Sequence, residues 1–278
     1  MELIKLKTRK EYWISASVFP QDSFLVLIIS PATGVKQSFY HPFANYLNEN
    51  GITVITFDFH GIGESLADSI KTVSTSASEW GVHDLESVIE FSKVRFSLSK
   101  IFVLGHSIGG QLLGFAKSSV DLEKIILIGS QSGYWGFWKG SEKLKMWATW
   151  HVLFPALLKI YRYFPAKSFS RMEDLPKEVG LQWSKWCRSP DYFLEEFNED
   201  VLYFKSIVTR VTCISIEDDK FAPIDAVNWL ADRFSKAQIK RVHLDPYDFG
   251  YKSIGHFGIF KENNRLVLWR MLLREILE

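Results

Sequence analysis

The sequence predicts an α/β fold, a mostly parallel, doubly wound sheet with helices on both faces and one helical insertion. Three observations carry this. Continuous apolar runs recur along the chain, as strands covered on both faces require. Helix-type patterns separate those runs, which implies parallel strands joined by crossovers. From about Ser132 to Phe204 the alternation stops, and it resumes at Val208.

Tyr12 to Phe19 alternates imperfectly and reads as an outer strand, with Leu3 to Leu6 as its hairpin partner. Phe24 to Ile29 is a buried strand, and Phe39 to Asn48 a helix stopped by Asn50-Gly51. Ile52 to Phe57 is the next buried strand, followed by the turn Asp58-Phe59-His60-Gly61-Ile62-Gly63-Glu64-Ser65. Glu79 to Phe96 reads as an amphipathic helix feeding the strand Lys100 to Leu104. A helical-looking Gly110 to Ala116 follows, then the strand Lys124 to Gly129. After the interruption come a strand at Val208 to Ile216, a helix at Ile224 to Phe234, a strand at Ile239 to Leu244 and a helix from about Asn263 to Leu277. The expected division is a core of 1–131 and 205–278 with an aromatic-rich helical cap of 132–204.

At 47% hydrophobic and 23% charged, the chain has ample material for a large core. A net charge of +1 gives no electrostatic case for a nucleic-acid partner. Cys187 and Cys213 have no metal-ligand spacing and are read as buried or idle thiols rather than as a disulfide. Met1 to Lys7 is basic but lacks the apolar core of a signal peptide. The most apolar window, Trp147 to Leu158, is broken by His151 and Pro155 and is too short for a stable membrane insertion. The reading is of a soluble cytoplasmic protein whose oligomeric state leaves no mark on the sequence.

Gly105-His106-Ser107-Ile108-Gly109 lies between a strand and a helical pattern, the order that a nucleophile elbow requires. A serine hydroxyl is a poor nucleophile until an imidazole takes its proton, and the imidazole needs an acid to fix its tautomer. In this topology the acid follows a late strand and the base follows the last one. Glu217-Asp218-Asp219-Lys220-Phe221-Ala222-Pro223 ends the strand from Val208, and Ile254-Gly255-His256-Phe257-Gly258 precedes the terminal helix. The expected order is therefore Ser107, Asp219, His256. Asp218 competes with Asp219; the Asp-x-x-x-Pro spacing favours Asp219 and leaves Asp218 to cap the turn.

Over nearly its whole length the chain resembles the α/β-hydrolase superfamily. The matching motifs are Gly-His-Ser-Ile-Gly-Gly, the turn from Asp58 to Ser65, Asp219 to Pro223, and Gly255-His256. Pro31-Ala32-Thr33-Gly34 and Gly255 to Gly258 resemble a subgroup of predicted hydrolases without an established substrate. The resemblance implies an oxyanion hole with the Ile108 N–H as one donor. The other comes from the loop after Ser30, where many members have His-Gly and this chain has Pro31-Ala32; that alignment makes Thr33 the preferred second donor.

His106 precedes the nucleophile and is expected to pack rather than to act. His41, His60, His83, His151 and His243 lack metal spacing, so no metal is expected. Gly61 to Leu66 lacks the third glycine of a dinucleotide fingerprint, and Gln111 stands where a phosphate loop needs lysine, so no cofactor is implied. Trp147, Trp150, Phe154, Leu158 and Tyr161 are spaced for one helical face, which packs the cap onto the sheet or lines an apolar pocket through Trp147 and Trp150. The expected activity is hydrolysis of a small-molecule carboxylic ester, or of an amide or thioester. Acyl transfer, a lyase reaction on the same scaffold and a non-catalytic receptor are the competing readings.

Overall fold

The computed structural model describes residues 1–278. One sheet contains β1 (Glu2–Lys7), β2 (Trp13–Phe19), β3 (Leu25–Ser30), β4 (Thr53–Phe57), β5 (Lys100–His106), β6 (Lys124–Ile128), β7 (Arg210–Ile216) and β8 (Gln238–Leu244). Their order across the sheet is β1-β2-β4-β3-β5-β6-β7-β8. Only β1 with β2 and β2 with β4 pair antiparallel; the rest of the sheet is parallel. This is the expected α/β-hydrolase architecture, with β5 in the middle.

Period-two geometry explains the unbroken apolar runs. In β3, Val26 and Ile28 enter the larger buried cluster, whereas Leu27 and Ile29 enter the cluster on the other face. Both faces are dry, so every position in the run must be apolar. At the edge, β8 exposes Lys240 and Arg241, charges that discourage a further strand from pairing there.

Several elements differ in detail from expectation. The helix at His41–Glu49 begins behind a 3-10 turn, Gln37–Tyr40, and carries Pro42 in its first turn, where a missing N–H costs little. The segment before β5 is helical over 77–95, opens with a capping box from Ser76 to Glu79, and contains a π-helical turn at Trp80–Leu85. The helix after the elbow is only one α-turn, Ile108–Gln111, and then tightens into a 3-10 turn, Leu112–Gly114. Its three glycines are weak helix formers, and the Phe204 ring presses against Gly114.

Between β6 and β7 the backbone is helical or irregular, and its one β-bridge joins Phe164 to Leu175. A continuous helix covers 140–161, with a π-helical turn at Thr149–Leu153, and a second runs from Lys177 to Arg188. Trp150, Phe154, Leu158, Trp186 and Phe193 share a buried cluster with Val103 and Ile125 of the sheet. The anticipated five-residue face is narrower than its spacing suggested. Trp150, Phe154 and Leu158 are buried, but Trp147 and Tyr161 are 39% and 45% exposed. They lie one position off the i, i+4 column that points inward. Cys187 and Cys213 are buried free thiols. No helix is long and apolar enough to cross a membrane.

Candidate active site

Ser107 follows the last residue of β5 with φ +54 and ψ −121, a conformation that side-chain-bearing residues rarely adopt. Such strain persists only where surrounding structure imposes it, and it clusters at functional sites. Here the packing is tight enough to impose it. A Cβ on Gly109 would stand 2.2 Å from the Ser30 carbonyl oxygen, so the elbow and the loop after β3 are in backbone contact. That contact, rather than the elbow turn alone, demands the second glycine of the motif.

Asp219 and His256 come from loops after β7 and β8, and the structure joins them. The imidazole Nδ1 donates to Asp219 Oδ2 at 2.7 Å, and both side chains are almost fully buried. The other carboxylate oxygen, Oδ1, accepts the amides of Phe221 at 2.8 Å and Ala222 at 3.1 Å. Two backbone donors therefore hold the acid before the histidine is considered. Beneath the pair lies Gly129 at φ +54; a Cβ there would come within 3.1 Å of both Asp219 Oδ2 and His256 Nδ1. The Ser107 hydroxyl makes no hydrogen bond within the protein.

Asp218 has a different task. Its Oδ2 accepts the Ser253 hydroxyl at 2.6 Å and the Ile254 amide at 3.0 Å, and its Oδ1 accepts the Gly255 amide at 2.9 Å. Burial opposes its ionisation, but the hydrogen bonds from Ser253, Gly255 and Ile254 outweigh burial and hold its carboxyl below the usual range. The adjacent aspartates thus divide the work: Asp219 holds the ring of His256, and Asp218 holds the backbone leading to it.

A further chain of bonds left no sequence signal. The Ala32 amide donates to the Tyr40 hydroxyl at 2.9 Å, and that hydroxyl meets His106 Nδ1 at 2.8 Å. His106 Nε2 in turn meets the backbone carbonyl of His256 at 3.0 Å. With Ala32 donating to the phenol oxygen, the phenol proton points at Nδ1 and Nε2–H donates to the carbonyl. Burial, reinforced by the neighbouring His256, keeps His106 well below the ordinary histidine range and therefore neutral. His106 packs, as expected, and also bridges the loop after β3 to the histidine loop.

The same bond bears on the expected oxyanion donors. Ala32 has its N–H occupied, whereas neither Thr33 nor Ile108 donates its amide to any group of the protein. Thr33 sits in the loop that touches Gly109, and it is almost fully buried.

Sequence reasoning also missed the rings beside the imidazole. Phe221 lies 5.5 Å from the His256 ring and is 55% exposed, and Phe257 lies 4.9 Å away. Trp150 packs inside the insertion against Phe154 and Trp183, and Trp147 stacks on His151 at the surface. His60 stacks on Tyr12 at 3.9 Å. No cluster of three or more His, Cys, Asp or Glu side chains is arranged to hold a metal ion.

Solved structures of similar shape include an esterase from Exiguobacterium antarcticum, 15% identical with a TM-score of 0.63, the alignment covering 99% of each chain. A thermostable carboxyl esterase from Bacillus coagulans is 12% identical with a TM-score of 0.64, covering 99% of this chain and 97% of the other. An esterase from Pyrococcus furiosus is 14% identical with a TM-score of 0.64, covering 99% and 90%. At such identities the likeness speaks to fold. No curated protein sequence matches the chain. The profile of the serine aminopeptidase S33 family matches residues 23–180, a span that includes Ser107 and ends before Asp219 and His256. That match covers more than half of the sequence, and the chain belongs to the serine aminopeptidase S33 family of α/β-hydrolase-fold enzymes.

Proposed function

We propose that this protein is a serine hydrolase of small, apolar carboxylic esters, with residues 132–204 as the cap over its site. Ser107 Oγ attacks the ester carbonyl while His256 Nε2 takes its proton. Asp219, already fixed by the Phe221 and Ala222 amides, holds the Nδ1–H tautomer and stabilises the imidazolium that forms. The amides of Ile108 and Thr33 receive the negative charge developing on the carbonyl oxygen. Collapse of the tetrahedral intermediate expels the alcohol, protonated by His256, and leaves an acyl group on Ser107. Water, activated by the same imidazole, releases the acid.

The observation that carries this reading is the amide-anchored Asp219–His256 pair, brought by fold to the same sheet edge as a strained serine. Two further features favour an ester over a peptide with a free amino terminus. Phe221 and Phe257 make the surroundings of His256 apolar. Binding an α-ammonium calls for an available carboxylate, and the buried Asp58, in the turn after β4, and Asp84, on the helix at 77–95, are both engaged. Asp58 accepts from Gln37 and Glu64, and Asp84 accepts from His60 and Tyr12. Two buried, unpaired thiols suit a reducing cytoplasm.

A fluorophosphonate probe tests nucleophile activation without knowledge of the substrate. Wild type is expected to label on Ser107 and to hydrolyse p-nitrophenyl esters faster than aminoacyl p-nitroanilides. Ser107→Ala is expected to abolish labelling and lower kcat/KM by on the order of 10⁴-fold or more with the fold intact. Undiminished labelling of that variant rejects the nucleophile, and faster anilide cleavage rejects the ester.

A further inference from the structure

The helix at 140–161 is apolar on the side that faces away from the protein. Trp150, Phe154 and Leu158 form its inward column, and the i, i+4 spacing continues smoothly through the π-helical turn. Two positions away, and so roughly 160° around the helix, lies a second column: Leu144, Ala148, Val152, Ala156 and Ile160. Leu144, Val152 and Ile160 are 69%, 56% and 70% exposed. A helix on the surface of a water-soluble protein normally turns charged residues outward, and this column has none.

The surrounding charge is one-sided. From Lys143 to Met172 there is no acidic residue, while Lys143, Lys145, Lys159, Arg162, Lys167 and Arg171 fall in that stretch. The whole chain carries 33 Lys and Arg against 32 Asp and Glu, so the rest of the molecule is net negative. Lys143, Lys159 and Arg162 make no salt bridge, and they flank the two ends of the outward apolar column.

We infer that this face docks on an anionic phospholipid bilayer, with the helix lying in the interfacial plane and its terminal cations among the headgroups. Apolar burial and attraction to anionic lipid are the two terms that hold such helices at a membrane surface. A second copy of the chain suits the face poorly. Paired through this column, two helices bring together Lys143, Lys145, Lys159 and Arg162 of each copy, with Glu142, already paired with its own Lys145, as the one acid of each helix to offset them. The inference stands apart from the ester chemistry, since none of its residues has a role there.

The test is sedimentation of the full-length chain with phosphatidylcholine vesicles, with and without phosphatidylserine as a third of the lipid, at low and high salt. Partition is expected only with phosphatidylserine, weakened by salt. Lys159→Glu with Arg162→Glu should reduce it by about ten-fold or more. Val152→Glu with Ile160→Glu should reduce it at least as far while leaving fluorophosphonate labelling of Ser107 unchanged, which shows the chain folded. Three results overturn the inference: equal partition onto both vesicles, no partition by labelling-competent wild type, or partition unaffected by Val152→Glu with Ile160→Glu. A dimer seen by light scattering and dissolved by that same pair of substitutions overturns it too, and assigns the face to a second copy.

Discussion

Around Ser107 the chain is held by directed hydrogen bonds, whereas the inserted segment is held by the packing of rings. Asp219, Asp218, Tyr40 and His106 each make at least two hydrogen bonds, and each is tied by at least one of them to another segment of the chain. In the insertion, Phe154 stacks on Phe164 at 3.7 Å, Trp150 meets Trp183 at 4.9 Å, and Phe193 stacks on Phe204 at 5.4 Å. Hydrogen bonds fix orientation, which an attacking serine and its base require. Ring packing fixes proximity and tolerates sliding. The contrast predicts that damage to the first region costs rate and damage to the second costs stability.

The largest expected effect lies in the first region. Asp219→Asn should lower kcat by on the order of 10⁴-fold with little change in Tm, as follows when the tautomer-fixing acid is lost. Asp218→Asn should cost at most about ten-fold in kcat, because it touches the loop and not the ring. A pH titration separates the two further. The folded-state pKa of Asp218 lies below its unfolded value, so its stabilisation is present above the ordinary carboxylate pKa and lost as pH falls through the lowered value. Wild type should therefore show an acid-side fall in Tm that is smaller in Asp218→Asn. The reverse ranking in kcat moves the triad acid to Asp218.

In the second region the ranking inverts. Trp150 is 4% exposed inside the shared cluster, and Trp150→Ala should destabilise by about 3–5 kcal/mol, with the surviving folded fraction still labelled by the probe. Trp147, half-exposed on His151, should cost less than about 1 kcal/mol when truncated. Thermal unfolding followed beside hydrolysis of acetyl and octanoyl esters distinguishes these outcomes. A shifted chain-length profile in Trp147→Ala at unchanged Tm returns that ring to the substrate pocket.

The two regions also differ in how much of them the sequence discloses. The strands β3 to β7 are legible because a strand buried on both faces is built mainly of apolar residues, and the unbroken run Val26 to Ile29 is the clearest case. The contact of Asp219 with His256 and the strained turn at Ser107 are legible because each residue stands at a defined point of the strand order, and because glycine or proline marks the turn beside it. The Tyr40–His106 bridge is not. Its members at 32, 40, 106 and 256 come from four separate segments of the chain, and a tyrosine in a helix-type run has the same appearance with or without a partner. Nor do the π-helical turns at Trp80–Leu85 and Thr149–Leu153 show in the pattern, because each shifts register by less than one residue per turn. The exposed Phe221 leaves no signal of its own, because it falls at a position of the Asp219 to Pro223 motif whose spacing does not involve its side chain.

Tyr40→Phe joins the contrast at an intermediate magnitude. Removing the hydroxyl leaves the buried Ala32 amide and His106 Nδ1 without partners, a loss of about 1–3 kcal/mol for each group stranded. Both flank the proposed site, so kcat should fall several-fold beyond any unfolding, with KM nearly constant. A variant that loses stability yet keeps full kcat makes the bridge purely structural.

The smallest effect is expected where the two regions meet. Gln131, just before the insertion, and Trp138, near its start, donate to the carbonyls of Phe221 and Lys220 at 3.1 and 2.8 Å. The inserted segment thus positions the loop whose amides hold Asp219 and whose exposed ring faces His256. Phe221→Ala keeps the backbone donors and removes only the ring. Its Tm and its rate on acetyl esters should stay close to wild type, since the amide of residue 221 still anchors the carboxylate. What should change is the increment per added carbon. A methylene that finds an apolar wall contributes about 0.8 kcal/mol, and without the ring that increment should shrink by several-fold in kcat/KM over the acyl series. If instead the acetyl rate falls and the increments stay constant, the ring supports the orientation of His256, and Phe221 belongs with the first region rather than at the boundary.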